Sequence, residues 1–146
     1  MISVSESLRL HLFFMTVAFA VFSISFLVGS LYLWQESQLK RHATQKLLSW
    51  LPALETMDSF HYKILILGFL LLSGGIFSGA LLSHALQGRF FSDDPRQLAS
   101  LVTWALYAFF LNVRLQAGWR GRKGMILSIL GFLGVILAFI GLGHRL

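Results

Sequence analysis

Four long apolar runs divide the chain, and the charged residues gather in the intervals between them. Residues 10–35, 64–83, 98–113 and 125–143 contain no Asp, Glu, Lys or Arg. A helix rises ~1.5 Å per residue and a bilayer's hydrocarbon core is ~30 Å thick, so a span needs about 20 apolar residues. The third run is too short when counted from Leu98. Asp94 and Pro95 lengthen it, because Asp is a favoured N-cap and Pro a favoured first helical residue. The pattern thus predicts spans over 10–34, 64–86, 95–115 and 125–143.

The first run ends in the interfacial aromatics Tyr32 and Trp34. It exceeds the ~7–15 apolar residues of a signal peptide and lacks a positive leader, so it reads as a retained span. After Pro52, Leu54, Met57 and Phe60 share one helical face, which predicts a short interfacial helix before the second span. Gly75-Ile76-Phe77-Ser78-Gly79 places small residues four apart, the spacing that lets a neighbouring helix approach closely. Gly131, Gly134 and Gly141 are expected contact points for other helices.

Composition settles the class. Of 146 residues, 56% are hydrophobic and 12% charged, and the mean hydropathy is +0.73. Soluble domains carry about 25% charge, so the composition argues against a soluble enzyme. The expected fold is all-α: an integral membrane four-helix bundle, residues 1–146 forming one multi-pass domain in the plasma (inner) membrane. The net charge of +6 belongs to membrane flanks and implies the lipid bilayer as partner, with no nucleic acid. There is no cysteine, which excludes disulfides, thiol redox chemistry and Cys-ligated metals or haem attachment.

Basic residues orient the chain. Lys40, Arg41, Lys46, Lys63, Arg114, Arg120, Arg122 and Lys123 flank the first and third connectors; Arg9, Arg89, Arg96 and Arg145 lie elsewhere. Eight against four places those connectors in the cytoplasm and both termini outside, with the 89–97 loop.

Five histidines are present. His42 and His61 fall on the cytoplasmic side, in segments that suit ordinary surface roles. His11, His84 and His144 converge on the outer rim. They are open to two readings: interfacial side chains bonded to water and headgroups, or ligands of a site, since neutral imidazole is an axial ligand of haem iron. Phe90, Phe91 and Trp104 offer apolar faces to a porphyrin, and Arg89 and Arg96 offer cations to its propionates. Asp93 and Asp94 read as loop and cap residues. The sequence has no Ser/His/Asp set, HExxH, paired intramembrane carboxylates or phosphate loop, so catalysis has little support.

The segment from Ser78 to Gln97, with Asp94-Pro95 inside it, is followed by Trp104, by Leu111-Asn112-Val113-Arg114-Leu115, and by Gly118-Trp119-Arg120-Gly121-Arg122-Lys123. With Leu10-His11-Leu12, Leu51-Pro52-Ala53-Leu54-Glu55 and Leu67-Gly68-Phe69-Leu70-Leu71-Leu72 upstream, this series resembles the CcsA/HemX-type cytochrome c assembly family over nearly the whole chain. That family has a loop close to W-x-W-D-P-K-E-T-W, an L-H-x-R-L exit and a G-W-[RK]-G-[RK] turn. The resemblance implies a membrane protein of cytochrome c maturation, or a HemX-like relative linked to haem biosynthesis, with haem as cofactor.

By position, His11 corresponds to the histidine before the loop, and Asp94 and Pro95 to its Asp-Pro. Phe91 and Asp93 stand where the family has tryptophans, Ala99 replaces another, Arg96-Gln97 stand for Lys-Glu, and Asn112 stands for the exit histidine. These departures fit a divergent HemX-like branch. The match falls on the family's C-terminal half, so the expected partners are haem and other membrane subunits, among them a chain supplying the N-terminal spans.

The expected function is binding or passing haem at the outer face, with iron on His11 and His144 and with His84, Phe91, Asp94, Arg96 and Trp104 around it. The alternatives are a non-haem membrane scaffold that offers the Gly75–Gly79 face to another protein, and a small transporter subunit. Absence of buried carboxylates and of broken-helix pairs argues against transport.

Overall fold

The computed structural model describes residues 3–41 and 53–143. His42, Lys46, Trp50, Pro52 and His144 lie outside the described residues, so the connector containing the first four and the C-terminal candidate ligand are not placed.

Four helices account for nearly everything described: α1 (Val4–Lys40), α2 (Leu54–Gln87), α3 (Pro95–Ala117) and α4 (Arg122–Gly143). Ser3 caps α1 in a reciprocal box with Glu6, satisfying two of the backbone donors that a helix start leaves free. Asp94 caps α3 and Pro95 follows it, as the sequence indicates. At 37 residues, α1 is about 55 Å long, well beyond a hydrocarbon core, because its polar flank through Lys40 continues the helix.

The short interfacial helix expected after Pro52 is not a separate element. Helix α2 starts at Leu54 and runs unbroken through the second span. Met57 faces inward and is buried, while Phe60 points out. No residue there breaks helical geometry, so the polar stretch forms the first turns of the span.

Helices α1 and α2 pack antiparallel along one seam. A Cβ placed on Gly79 would lie 2.9 Å from the His11 ring, one on Gly75 2.6 Å from Met15 Sδ, and one on Gly68 2.8 Å from the Phe22 ring. One on Gly29 would lie 3.7 Å from His61 Nε2. In each pair the residue numbers add to 90, so a single register holds throughout. The buried positions of α1 (Ala18, Phe22, Ser25, Gly29, Tyr32) alternate spacings of four and three, the pattern of helices crossing at about 20°.

The Gly75–Gly79 face is therefore occupied by this chain's own α1. By contrast, a Cβ at Gly131, Gly134 or Gly141 would meet nothing within 4 Å, so these glycines do not serve contacts among the described helices.

Helix α4 packs on α1 and α3, and α3 on α2. Phe22 stacks on Tyr107 at 4.2 Å, and Phe26 lies 5.1 Å from Phe132; with Leu65, Leu72 and Phe110 these rings form the main apolar core.

Unlike a soluble protein, the chain carries large apolar side chains on its outside as well as in its core. Phe77, Leu115 and Leu137 are 68%, 72% and 69% exposed, while Ser25, His61, Thr103, Arg114 and Ser128 are buried. Large apolar side chains turned outward and small or polar ones turned inward suit a lipid surround. Three helices, α1, α2 and α3, are long and apolar enough among the described residues to cross a bilayer.

Candidate functional site

Polar side chains collect at two ends of this structure. At the end where α1 begins, α2 finishes and α3 begins, a cavity of about 370 Å³ is lined by His11, Met15, Ser83, Asp94, Arg96 and Gln97 among others. His11 Nδ1 lies 3.0 Å from the Gly75 carbonyl oxygen. A carbonyl only accepts, so Nδ1 carries the proton and donates it. That tautomer leaves the Nε2 lone pair free, and the bond together with the flat Gly79 surface orients the ring, as outer-shell partners do for metal-ligating histidines.

The segment joining α2 to α3 forms one wall. Gly88 (φ 71°) closes α2 in a left-handed turn, its N–H bonded to the His84 carbonyl at 2.9 Å. Gln97 then staples the loop. Its Nε2 donates to the Phe90 carbonyl (3.1 Å), and its Oε1 accepts from Ser92 N (2.8 Å) and Ser92 Oγ (2.9 Å). Asp94 Oδ1 accepts the Arg96 N–H at 3.0 Å, leaving the exposed Arg96 guanidinium at the cavity edge. A second, more apolar cavity of about 340 Å³ adjoins the first at Met15 and Ser100 and is lined also by Phe19, Phe22 and Leu72.

Of the side chains singled out from sequence, His11, Asp94 and Arg96 share this cavity; His84, Phe91 and Trp104 do not line it. His84 is exposed and stacks on Phe90 at 4.3 Å. Phe91 is exposed. Trp104 donates its indole N–H to Ser73 Oγ (2.9 Å) and stacks on Phe69, two turns down the α2–α3 seam. The donor chemistry at the cavity fits haem: an imidazole with its Nε2 lone pair available, a guanidinium at the rim and apolar Ile76, Leu82 and Leu86 between.

The opposite end holds a buried polar cluster. His61 was expected at the surface and is fully buried, its Nε2 3.2 Å from Ser128 Oγ and its ring edge-on to Phe110. Arg114, counted among the cytoplasmic basic residues, is buried too. It grips Asp58 with two parallel bonds, Nη1 to Oδ1 at 3.0 Å and Nη2 to Oδ2 at 2.8 Å, and lies 4.4 Å from the Tyr62 ring centroid. Gly121 N donates to the same carboxylate at 3.1 Å. Gly121 holds φ 69° beneath the Tyr32 hydroxyl, a position that suits only glycine. The pair is separated by 56 residues, so no local pattern announces it.

Along α1 the two ends are marked by His11 and by Gly29, which sits against His61. Eighteen residues separate them, about 27 Å of helix, close to the ~30 Å hydrocarbon thickness. The helices have the length and composition of a membrane protein, and a polar cluster lies towards each end of them.

Comparison with known proteins agrees. The family described as cytochrome C assembly protein matches residues 2–144. The chain is 32% identical over 122 residues to the cytochrome c biogenesis protein CcsA of Marchantia polymorpha, covering 80% of this chain and 38% of that protein. It is 41% identical over 87 residues to the protein of the same name from Prochlorococcus marinus (strain NATL1A), covering 60% and 28%. The corresponding Microcystis aeruginosa protein is 39% identical over 87 residues, covering 60% and 26%. The chain belongs to the CcsA-type cytochrome c assembly family. It spans less than two-fifths of the length of these relatives. No solved structure matches it.

Proposed function

We propose that the chain acts in cytochrome c assembly as a four-helix membrane bundle that binds or passes haem at the outer face of the plasma (inner) membrane. The observation that carries this reading is the bond from His11 Nδ1 to the Gly75 carbonyl, which leaves Nε2 as the ligating atom at the cavity. Arg96 supplies a cation for the propionate carboxylates, and the adjoining apolar cavity receives hydrocarbon. Haem contributes the iron that is to be delivered. His144 remains a proposed second ligand.

Charge supports the orientation. With Arg114 neutralised by Asp58, Lys40, Arg41, Lys63, Arg120, Arg122 and Lys123 still crowd the Asp58 end. Arg9, Arg89 and Arg96 lie at the His11 end. This excess supports a cytoplasmic Asp58 end and an outer His11. Detergent-purified protein is expected to show a Soret band that weakens in His11→Ala; a colourless wild-type protein that takes up no added hemin would overturn the reading.

A haem-free scaffold is the second reading. The open Gly131 and Gly134 positions of α4, rather than the filled Gly75–Gly79 face, favour it by offering another membrane subunit close approach. A stoichiometric partner that co-purifies with wild type and with His11→Ala alike, and is lost in Gly131→Leu, would select it.

A further inference from the structure

We propose that the turn between α3 and α4 holds the phosphate of an anionic phospholipid, gripped by Arg120 and Lys123 beside Trp119. The inference goes beyond the haem reading and does not rest on it, since it concerns the opposite end of the helices.

The cations of this turn are left without acids. Arg120, Arg122 and Lys123 fall within four residues, and no Asp or Glu follows Asp94 in the sequence. Carboxylates therefore reach the turn only from other helices, and those that do are already engaged. Asp58 is held by Arg114 and by the Gly121 N–H. Glu36 is shared between Lys40 at 3.0 Å and Arg122 at 3.6 Å. Arg120 and Lys123 form no ion pair among the described residues. Lys123 Nζ instead lies 5.7 Å from the centre of the Trp119 ring. Trp104 gives its indole N–H to Ser73, whereas that of the exposed Trp119 has no acceptor among the described residues. A guanidinium, an ammonium and a free indole N–H on one turn suit the several acceptor oxygens of a phosphate.

The backbone of the turn is fixed before any ligand arrives. Gly118 and Gly121 hold φ at 67° and 69°, and the Arg120 N–H donates to the Gly118 carbonyl at 2.8 Å. The Gly121 N–H is tied to Asp58 at 3.1 Å. Cations carried on a pre-formed turn lose less freedom on binding than cations on a loose one.

Position selects the source of the phosphate. Gly121 lies beneath the Tyr32 hydroxyl, and Tyr32 is 21 residues along α1 from His11, about 32 Å of helix. A hydrocarbon core of ~30 Å with His11 at one boundary thus has the turn at the other, the level that tryptophan favours. On either side of the turn Leu115 and Ile126 are exposed, giving acyl chains an apolar surface next to the cations. A water-soluble phosphate would use the cations alone, whereas basic clusters flanking spans recognise anionic headgroups.

Phosphatidylglycerol is the probe, titrated in competition with phosphatidylcholine into the detergent-purified full chain and read by native mass spectrometry. Wild type should retain phosphatidylglycerol in preference to phosphatidylcholine. Arg120→Gln and Lys123→Gln should each weaken that binding about fivefold, and the pair together about 30-fold. Arg41→Gln/Lys63→Gln removes the same charge from the same end and should bind as wild type does. All four side chains are exposed, so none of these substitutions takes away a core contact. Equal retention of the two lipids overturns the proposal, as does a loss in Arg41→Gln/Lys63→Gln matching that of the turn variants, which would make the charge diffuse. Displacement of phosphatidylglycerol by excess inorganic phosphate overturns it too, in favour of a soluble phosphate ligand. None of these results bears on the Soret band expected of His11.

Discussion

Removing the Asp58 carboxylate should destabilise the protein more than any single apolar truncation at its surface. The guanidinium of Arg114 is 7% exposed and its partner 13%, so solvent screens the pair little. Asp58 accepts three N–H bonds, two from Arg114 and one from Gly121. Together they tie the start of α2 to the end of α3 and to the turn before α4. In Asp58→Ala the guanidinium stays buried without its counter-ion, a change that costs about 3–5 kcal/mol. The Gly121 N–H loses its acceptor as well, worth about 1–3 kcal/mol if no water reaches it.

Replacing both partners in Asp58→Leu/Arg114→Met removes the buried charge, and such exchanges are commonly neutral or stabilising by about 1–4 kcal/mol. The double variant should therefore recover most of the loss, with a coupling energy of at least about 2 kcal/mol. Unfolding in mixed micelles of rising SDS fraction, followed by circular dichroism at 222 nm, measures Asp58→Ala and the four members of the cycle: wild type, Asp58→Leu, Arg114→Met and the double variant. A cost below about 1 kcal/mol for Asp58→Ala, or additive single effects, would refute the picture of a buried clamp.

Three further outcomes are expected. Gly68→Ala should cost about 1–3 kcal/mol in the same titration, because its Cβ would meet the Phe22 ring at 2.8 Å; Gly131→Ala, with open space around it, should stabilise by about 0.5–1 kcal/mol through helix propensity alone. Gln97→Ala breaks all three bonds of the loop staple and should speed amide exchange across residues 88–95 about tenfold, while exchange in the middle of α2 stays as in wild type. Single cysteines are informative in this cysteine-free chain: in right-side-out vesicles Ser92→Cys should react with an impermeant maleimide and Arg120→Cys should not. The reverse pattern would invert the proposed orientation.

Much of this was legible because the bilayer imposes one-dimensional rules. Charge-free runs marked the helices, and Asp94-Pro95 fixed the start of α3 to the residue, since cap and first-turn chemistry act locally. The polar flanks misled: residues 35–40 and 54–63 look like connector by composition, yet helical hydrogen bonding continues through them, and this absorbed the interfacial helix expected after Pro52. The Gly75–Gly79 spacing correctly signalled close approach, and only the three-dimensional register revealed that α1 is what approaches.

His11, Asp94 and Arg96 line one cavity because the antiparallel helices bring the start of the first apolar run beside the 88–94 loop. Trp104 was drawn away by Ser73, a partner 31 residues distant, and Gln97 carries no signal of its stapling role. The Asp58–Arg114 pair and the buried His61 were missed for one reason. A charged or titratable residue beside an apolar run looks interfacial until a partner from another helix is known.

Imidazole rescue tests ligation by His11 most directly. His11→Gly should lose the Soret band of hemin-loaded protein, and free imidazole should restore it by entering the space beside Gly79 vacated by the side chain. A His11→Gly protein whose haem spectrum matches wild type without added imidazole would contradict the account.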